Sequence, residues 1–249
     1  MRYTLADVKA SYGPDKAWAE MQGDFPCYLI YRPISFWVAL PFLWLGVPVL
    51  VMTSFSLVIA LSLPAVAYWG GEHAYLGVAG LGFLYHVMDC VDGNMARTLG
   101  RTSRLGAILD GTIDMSFWCL LLFSLGLLVD GQGGGIWGGH AVALSLGLAV
   151  LLLLNRQTRD NFSLQSRDAT YFRSEIPERL SPTDRLLMAV VGLEFVYVFA
   201  IALGGWLGGL EWILLGIAIY VGLMFLGAVG LTLSQAARLD RDPPPQGPR

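Results

Sequence analysis

Asp89, Asp92, Asp110 and Asp114, with Arg97, are the residues whose types and spacing could do chemistry. They fall in the run Asp89-x2-Asp92-Gly93-x2-Ala96-Arg97, then eight residues, then Gly106-x3-Asp110-x3-Asp114. The surrounding segments are strongly apolar, and an unpaired charge inside a membrane costs at least about 2.5–3.5 kcal/mol. Something must compensate the four acids. Positions 89, 92, 93, 96 and 97 share one helix face, and 106, 110 and 114 form a stripe on the next helix, so the spacing predicts two facing acidic stripes on an antiparallel pair. The turn between them carries Gly100, and Thr102 or Ser103 is placed to cap the second helix. Facing carboxylates stay ionised only with cations between them, and an all-oxygen cluster suits Mg²⁺ or Mn²⁺ rather than zinc or copper. Two such ions about 3.5–4 Å apart could grip a diphosphate and activate a nucleophile for displacement at phosphorus. Arg97 can neutralise a phosphate oxygen, and the small residues Gly93, Ala96 and Gly106 leave room for a ligand near the backbone.

At all eight defining positions, with the spacing intact, this run resembles the signature of the CDP-alcohol phosphotransferases. The resemblance implies an integral-membrane enzyme that cleaves the pyrophosphate of a CDP-linked donor, passes the substituted phosphoryl group to an acceptor alcohol and releases CMP. By position it implies metal ligation by Asp89, Asp92, Asp110 and Asp114, with Asp114 also the general base. Gly93, Ala96, Arg97 and Gly106 would line the CDP site. Two divalent ions, Mg²⁺ or Mn²⁺, are the implied cofactors, and family members are commonly homodimers. A Pro-Asn-x-x-Thr turn often touches the nucleotide in this family. Here Pro48-Val49 and Thr53 stand instead, so that contact is not carried over.

Composition sets the class of molecule that must position these residues. At 55% hydrophobic and 14% charged residues, with a mean hydropathy of +0.57, the 249 residues suit an all-α polytopic membrane protein. The net charge of −3 averages over two sides of a bilayer and argues nothing, and nucleic acid is not among the expected partners. Cys27, Cys90 and Cys119 are too widely spaced for a zinc site, and no disulfide is expected.

Three divisions follow. Residues 1–49 form a cytoplasmic N-terminal segment ending in an interfacial amphipathic helix, an aromatic run through Phe36, Trp37, Phe42 and Trp44 that is short for a span. Residues 50–236 form a six-helix transmembrane catalytic domain, with spans near 50–69, 73–98, 104–129, 137–155, 185–206 and 211–234. Residues 237–249, rich in proline, form a disordered tail. The sixteen Lys and Arg residues fall as four in 1–32, three between spans two and three, six between spans four and five and three after span six, with none in the opposite loops. This partition puts both termini and the acidic site on the cytoplasmic side. The resemblance to bacterial members implies an inner-membrane location.

Glu194 belongs to no part of the signature. Counted along its helix it lies level with Asp89 and Asp114, which makes it a candidate for the acceptor-alcohol pocket. His86, on the same face as Asp89, and Arg156 and Arg159, at the end of span four, are the other candidates. The chain is most similar to members that use CDP-diacylglycerol with a polar alcohol, such as inositol phosphate, glycerol phosphate or serine. Two alternatives stay open: transfer of phosphocholine or phosphoethanolamine from a soluble CDP-alcohol to a lipid alcohol, and a transporter with an acidic metal site.

Overall fold

The computed structural model describes residues 3–165 and 192–241. Among them the secondary structure is entirely helical. Short helices α1 (Leu5–Ala10) and α2 (Pro14–Gly23) precede a π-helical turn, Cys27–Tyr31, that runs directly into α3 (Arg32–Trp44). Long helices follow: α4 (Val49–Trp69), α5 (Ala74–Thr98), α6 (Arg104–Gly131) and α7 (Ala141–Gln165). After the interval outside the described residues, a 3₁₀ turn (Gly192–Val196) leads into α8 (Tyr197–Leu207) and α9 (Leu210–Arg241).

Among the described residues six helical stretches are long and apolar enough to cross a bilayer, so the chain is a polytopic all-α membrane protein. They are not quite the six expected. The stretch Cys27–Trp44 reaches 18 residues because helical structure continues through Pro33, the π-helical turn Cys27–Tyr31 running directly into α3 ahead of it. The expected span over 185–206 begins outside the described residues, and the described Gly192–Leu207 is a shorter apolar stretch. Helix α7 continues through Gln165, so Arg156 and Arg159 lie on its last turns rather than in a loop. Helix α9 continues to Arg241, into the stretch expected to be disordered; 242–249 lie outside the described residues.

The acid-bearing helices α5 and α6 do not pack along their length as the expected pair. They share few contacts, and α4 packs extensively on both. Helix α7 packs on α6 and α9, whereas α3 and α8 pack on α5. Where α5 and α6 meet, they do so through long side chains, as where the Tyr85 ring stacks on Phe117.

Local chemistry sets the ends of these helices. Gly100, at φ +60°, closes α5 in a Schellman turn, with Arg101 N–H donating to the Ala96 carbonyl and Gly100 N–H to that of Arg97. Ser103 Oγ then accepts from Gly106 N–H at 3.0 Å and caps α6, as its position suggested. At the opposite end, the Asp130 carboxylate accepts from Ala141 and Val142 N–H, both at 3.0 Å, tying the end of α6 to the start of α7. Gly126 lets those two helices close on each other, because a Cβ there would meet Ser145 Oγ and Val142 Cα at 2.8 Å.

Candidate active site

The turn at Gly100 sets the stagger of the two signature helices, and with it the acids. Asp89, Asp92 and Asp110 each offer a carboxylate oxygen, all within 4.8 Å of one another. Among the described residues no Lys or Arg forms an ion pair with any of these three or with Asp114; the ion pairs are Lys16–Glu20, Arg32–Glu20 and Arg156–Asp160. An all-oxygen cluster that no described Lys or Arg pairs with fits hard divalent ions such as Mg²⁺ or Mn²⁺.

Asp114 stands outside that set of three. The Tyr85 hydroxyl donates to its Oδ1 at 2.9 Å, and the Tyr85 ring stacks on Phe117 with centroids 3.8 Å apart, which fixes the direction of the donor. Sequence reasoning missed Tyr85, although it lies one turn before Asp89 on the same face of α5. It also left Thr53 without a role. Thr53 Oγ1 donates to Asp92 Oδ2 at 2.7 Å from the second turn of α4, so the residue reaches the acid cluster from the first span.

The small residues have visible work. A Cβ on Gly93 would stand 3.2 Å from Arg97 Nη1 and 3.4 Å from Nη2, so glycine lets the guanidinium fold back over the α5 backbone. Arg97 Nη2 donates to Asn94 Oδ1 at 2.8 Å, while its Nε is buried without a partner. A buried donor left unpaired costs about 1–3 kcal/mol, which a phosphate oxygen would relieve. Asp92, Gly93, Ala96, Arg97, Gly106 and Asp110 all line one cavity of about 760 Å³, closed on its far wall by Pro48, Val49 and Thr53. A second cavity, about 880 Å³, runs between α6 and α7 past Ile108, Met115, Leu120 and Leu153 to Arg156 and Asp160. Ala107 lines both.

The residues suggested for an acceptor fall into two groups. Arg156 lies near Gly111 on α6, where its Nη2 would be 3.8 Å from an added Cβ, and its charge reaches Asp114. Glu194, on the 3₁₀ turn before α8, interacts with the charges of Asp24, Arg159 and Asp114. That turn rests on the end of α2, since a Cβ on Gly192 would meet the Gly23 carbonyl at 2.6 Å. Asp24 thus joins the acids facing this side, from a segment that carried no sequence signal for it. His86 differs. It lies among Tyr31, Tyr85, Phe117, Trp118 and Phe195 at centroid distances of 4.8–5.7 Å, lines neither cavity, and has an unpartnered Nε2. The four further arginines of the 155–185 interval lie outside the described residues.

Comparison with known proteins bears on this geometry. A stretch of 113 residues, 45% of the chain and 49% of the relative, is 31% identical to a phosphatidylinositol phosphate synthase of Cutibacterium acnes. A 31-residue stretch, 12% of the chain and 13% of the relative, is 68% identical to a protein of the same name from Streptomyces avermitilis. The first match spans about half the length of that relative and the second a much smaller share. The CDP-alcohol phosphatidyltransferase family matches over residues 42–224, which takes in Thr53, both signature helices, Arg156, Arg159 and Glu194, and the chain belongs to that family.

Proposed function

We propose that this protein transfers a phosphatidyl group from CDP-diacylglycerol to a polar acceptor alcohol with release of CMP. The observation that carries this reading is the convergence of Asp89, Asp92 and Asp110 from two helices, with none of the three ion-paired to a Lys or Arg among the described residues. With Asp114 they would hold two divalent ions, Mg²⁺ or Mn²⁺, which when bound supply charge neutralisation across the pyrophosphate and a Lewis acid at phosphorus. The remaining work falls to side chains. Arg97 would place its fork, including the unpartnered Nε, on a phosphate oxygen of the donor, while Gly93, Ala96 and Gly106 leave the cytidine diphosphate room against the α5 and α6 backbones. Asp114 Oδ2 is free to take the proton from the acceptor hydroxyl while Tyr85 holds Oδ1, so the nucleophile forms beside the distal phosphorus and CMP leaves opposite it. Catalysis would be largely positioning and charge neutralisation.

Two further observations support a lipid donor and a charged or hydroxyl-rich acceptor. Ala107 lines both the cavity holding the signature residues and the groove between α6 and α7, whose largely apolar wall beside the site suits acyl chains. Arg156, Arg159, Glu194 and Asp24 gather on the side of Asp114, where an acceptor would approach. Both relatives named above are phosphatidylinositol phosphate synthases, which favours a phosphorylated polyol as acceptor. The site would open to the cytoplasm of a bacterial inner membrane, the side on which the arginines cluster.

Release of labelled CMP, measured on purified protein with a panel of donors and acceptors, tests the reading. CDP-diacylglycerol with a polar alcohol should give Mn²⁺- or Mg²⁺-dependent release, and excess EDTA should abolish it. Release only with CDP-choline or CDP-ethanolamine and diacylglycerol would reverse the assignment of lipid and soluble substrate. Turnover undiminished in EDTA would sink the metal site.

A further inference from the structure

Asn94 sits inside the signature at one of its variable positions, yet it is completely buried, with both its amide oxygen and its amide nitrogen hydrogen-bonded. Its Oδ1 accepts from Arg97 Nη2 at 2.8 Å and from Arg32 Nη1 at 3.1 Å, and its Nδ2 donates to Ser35 Oγ at 2.9 Å. Arg32 is itself buried and pinned. Its Nε and Nη2 both donate to the Glu20 carboxylate, its Nη1 also reaches the Cys90 carbonyl at 3.2 Å, and its guanidinium lies 5.0 Å from the centroid of the Tyr12 ring. Glu20 in turn accepts from the Tyr12 hydroxyl at 2.7 Å and pairs with Lys16 at 3.2 Å. A continuous set of polar contacts therefore runs from α2, through the start of α3, to the guanidinium on α5 that faces the nucleotide cavity.

From this arrangement we infer that Asn94 is a positioning residue for Arg97, and that the Glu20–Arg32 pair makes the N-terminal helices part of the donor site. The reason lies in the shared acceptor. One amide oxygen holds two arginines, and it can keep Arg97 folded over Gly93 only while Arg32, held by Glu20, supplies the second donor and Ser35 takes the Nδ2 hydrogen. A guanidinium on a long flexible stem loses rotamer freedom when it grips a phosphate, and a site that fixes it beforehand lowers that cost. Lys could not replace Arg97 here, because the same planar group must satisfy Asn94 and still present donors to the ligand.

This inference rests on the assignment of a CDP-linked donor, and the test separates the two. Binding of CDP itself, with Mn²⁺, is measured by titration calorimetry on the detergent-solubilised full chain. Failure of the unaltered protein to bind CDP would count against the donor assignment, and with it this inference. If it binds, Asn94→Ala should weaken CDP binding about tenfold or more, the range for losing a hydrogen bond to a charged group. Arg97→Ala should do the same, and the double variant should bind no worse than Arg97→Ala alone, because Asn94 acts only through Arg97. Glu20→Gln, at the far end of the contacts, keeps the size and hydrogen-bonding capacity of the buried side chain and provides an arm that leaves the Asn94 amide in place. It should weaken CDP binding at least about twofold, an effect that vanishes in the Arg97→Ala background. Unchanged CDP binding in Asn94→Ala and Glu20→Gln, or losses that add fully to that of Arg97→Ala, would overturn the proposal.

Discussion

At the scale of single residues, the acids differ in what holds them. Asp89, Asp92 and Asp110 converge, whereas Asp114 is oriented by a tyrosine hydroxyl that leaves one carboxylate oxygen available. Asp114→Asn should therefore lower the rate of CMP release by about 10²–10⁴-fold, the usual worth of a general base, without loss of the folded protein in size-exclusion chromatography. Thr53 belongs to the cluster through Asp92. Thr53→Val keeps the volume but removes the 2.7 Å hydrogen bond, and Mn²⁺ affinity, read by paramagnetic resonance, should fall about tenfold or more. Gly93→Ala would put a methyl against the Arg97 guanidinium and displace it, so the variant should raise the KM for the CDP donor more than it lowers kcat. The signature made the acids legible in advance because spacing along a helix converts directly into a shared face. Tyr85 was equally within reach of that rule, but a tyrosine in an aromatic-rich span has no chemical mark to separate it from core. Thr53 and Asp24 were not legible, since their roles depend on which helix lies beside them.

At the scale of elements, hydropathy placed the starts of α4, α5, α6 and α9 within a residue or two of the structure, because each is marked by a cap, a glycine turn or an abrupt change in polarity. It misjudged where helices run on past the apolar stretch. The end of α7 through Gln165 and the end of α9 through Arg241 are polar, and helix continues there through backbone hydrogen bonds and, in α7, the i,i+4 pair Arg156–Asp160, which leave no trace in hydropathy. The antiparallel packing of α5 and α6 was the other misreading. Reading faces along two consecutive helices gives their orientation but not how closely their backbones approach. Helix α2 offers a test of its own. Burial pushes the Glu20 carboxyl up, but its hydrogen bond with Arg32 and the charges of Arg32 and Lys16 outweigh this and hold it below its usual value. A carboxylate with a depressed folded pKa contributes stability above its unfolded value, about 4.3, and loses it as pH falls through the folded one. Amide protection in α2, followed by hydrogen exchange, should hold from pH 7 to about 5 and drop below about 4 ahead of that in α5.

At the scale of the whole molecule, the exposed aromatics mark two levels. Tyr68, Trp69, Trp206 and Trp212 are exposed at the helix ends far from the acids, and Trp44 at the near end, the distribution of a membrane protein's interfacial girdles. Between those levels the bundle falls into two groups, α3, α5 and α8 on one side and α6, α7 and α9 on the other, with α4 packed against both signature helices. The uncompensated acids lie on the seam between these groups. Mutual repulsion across it should loosen the protein without divalent ions, so the melting temperature in detergent should rise by several degrees as Mn²⁺ is titrated in and fall back in EDTA. For a cell, the seam would make magnesium supply a condition of quality control as well as of turnover. Newly inserted chains short of the ion would be the first that membrane proteases could pry apart along α4.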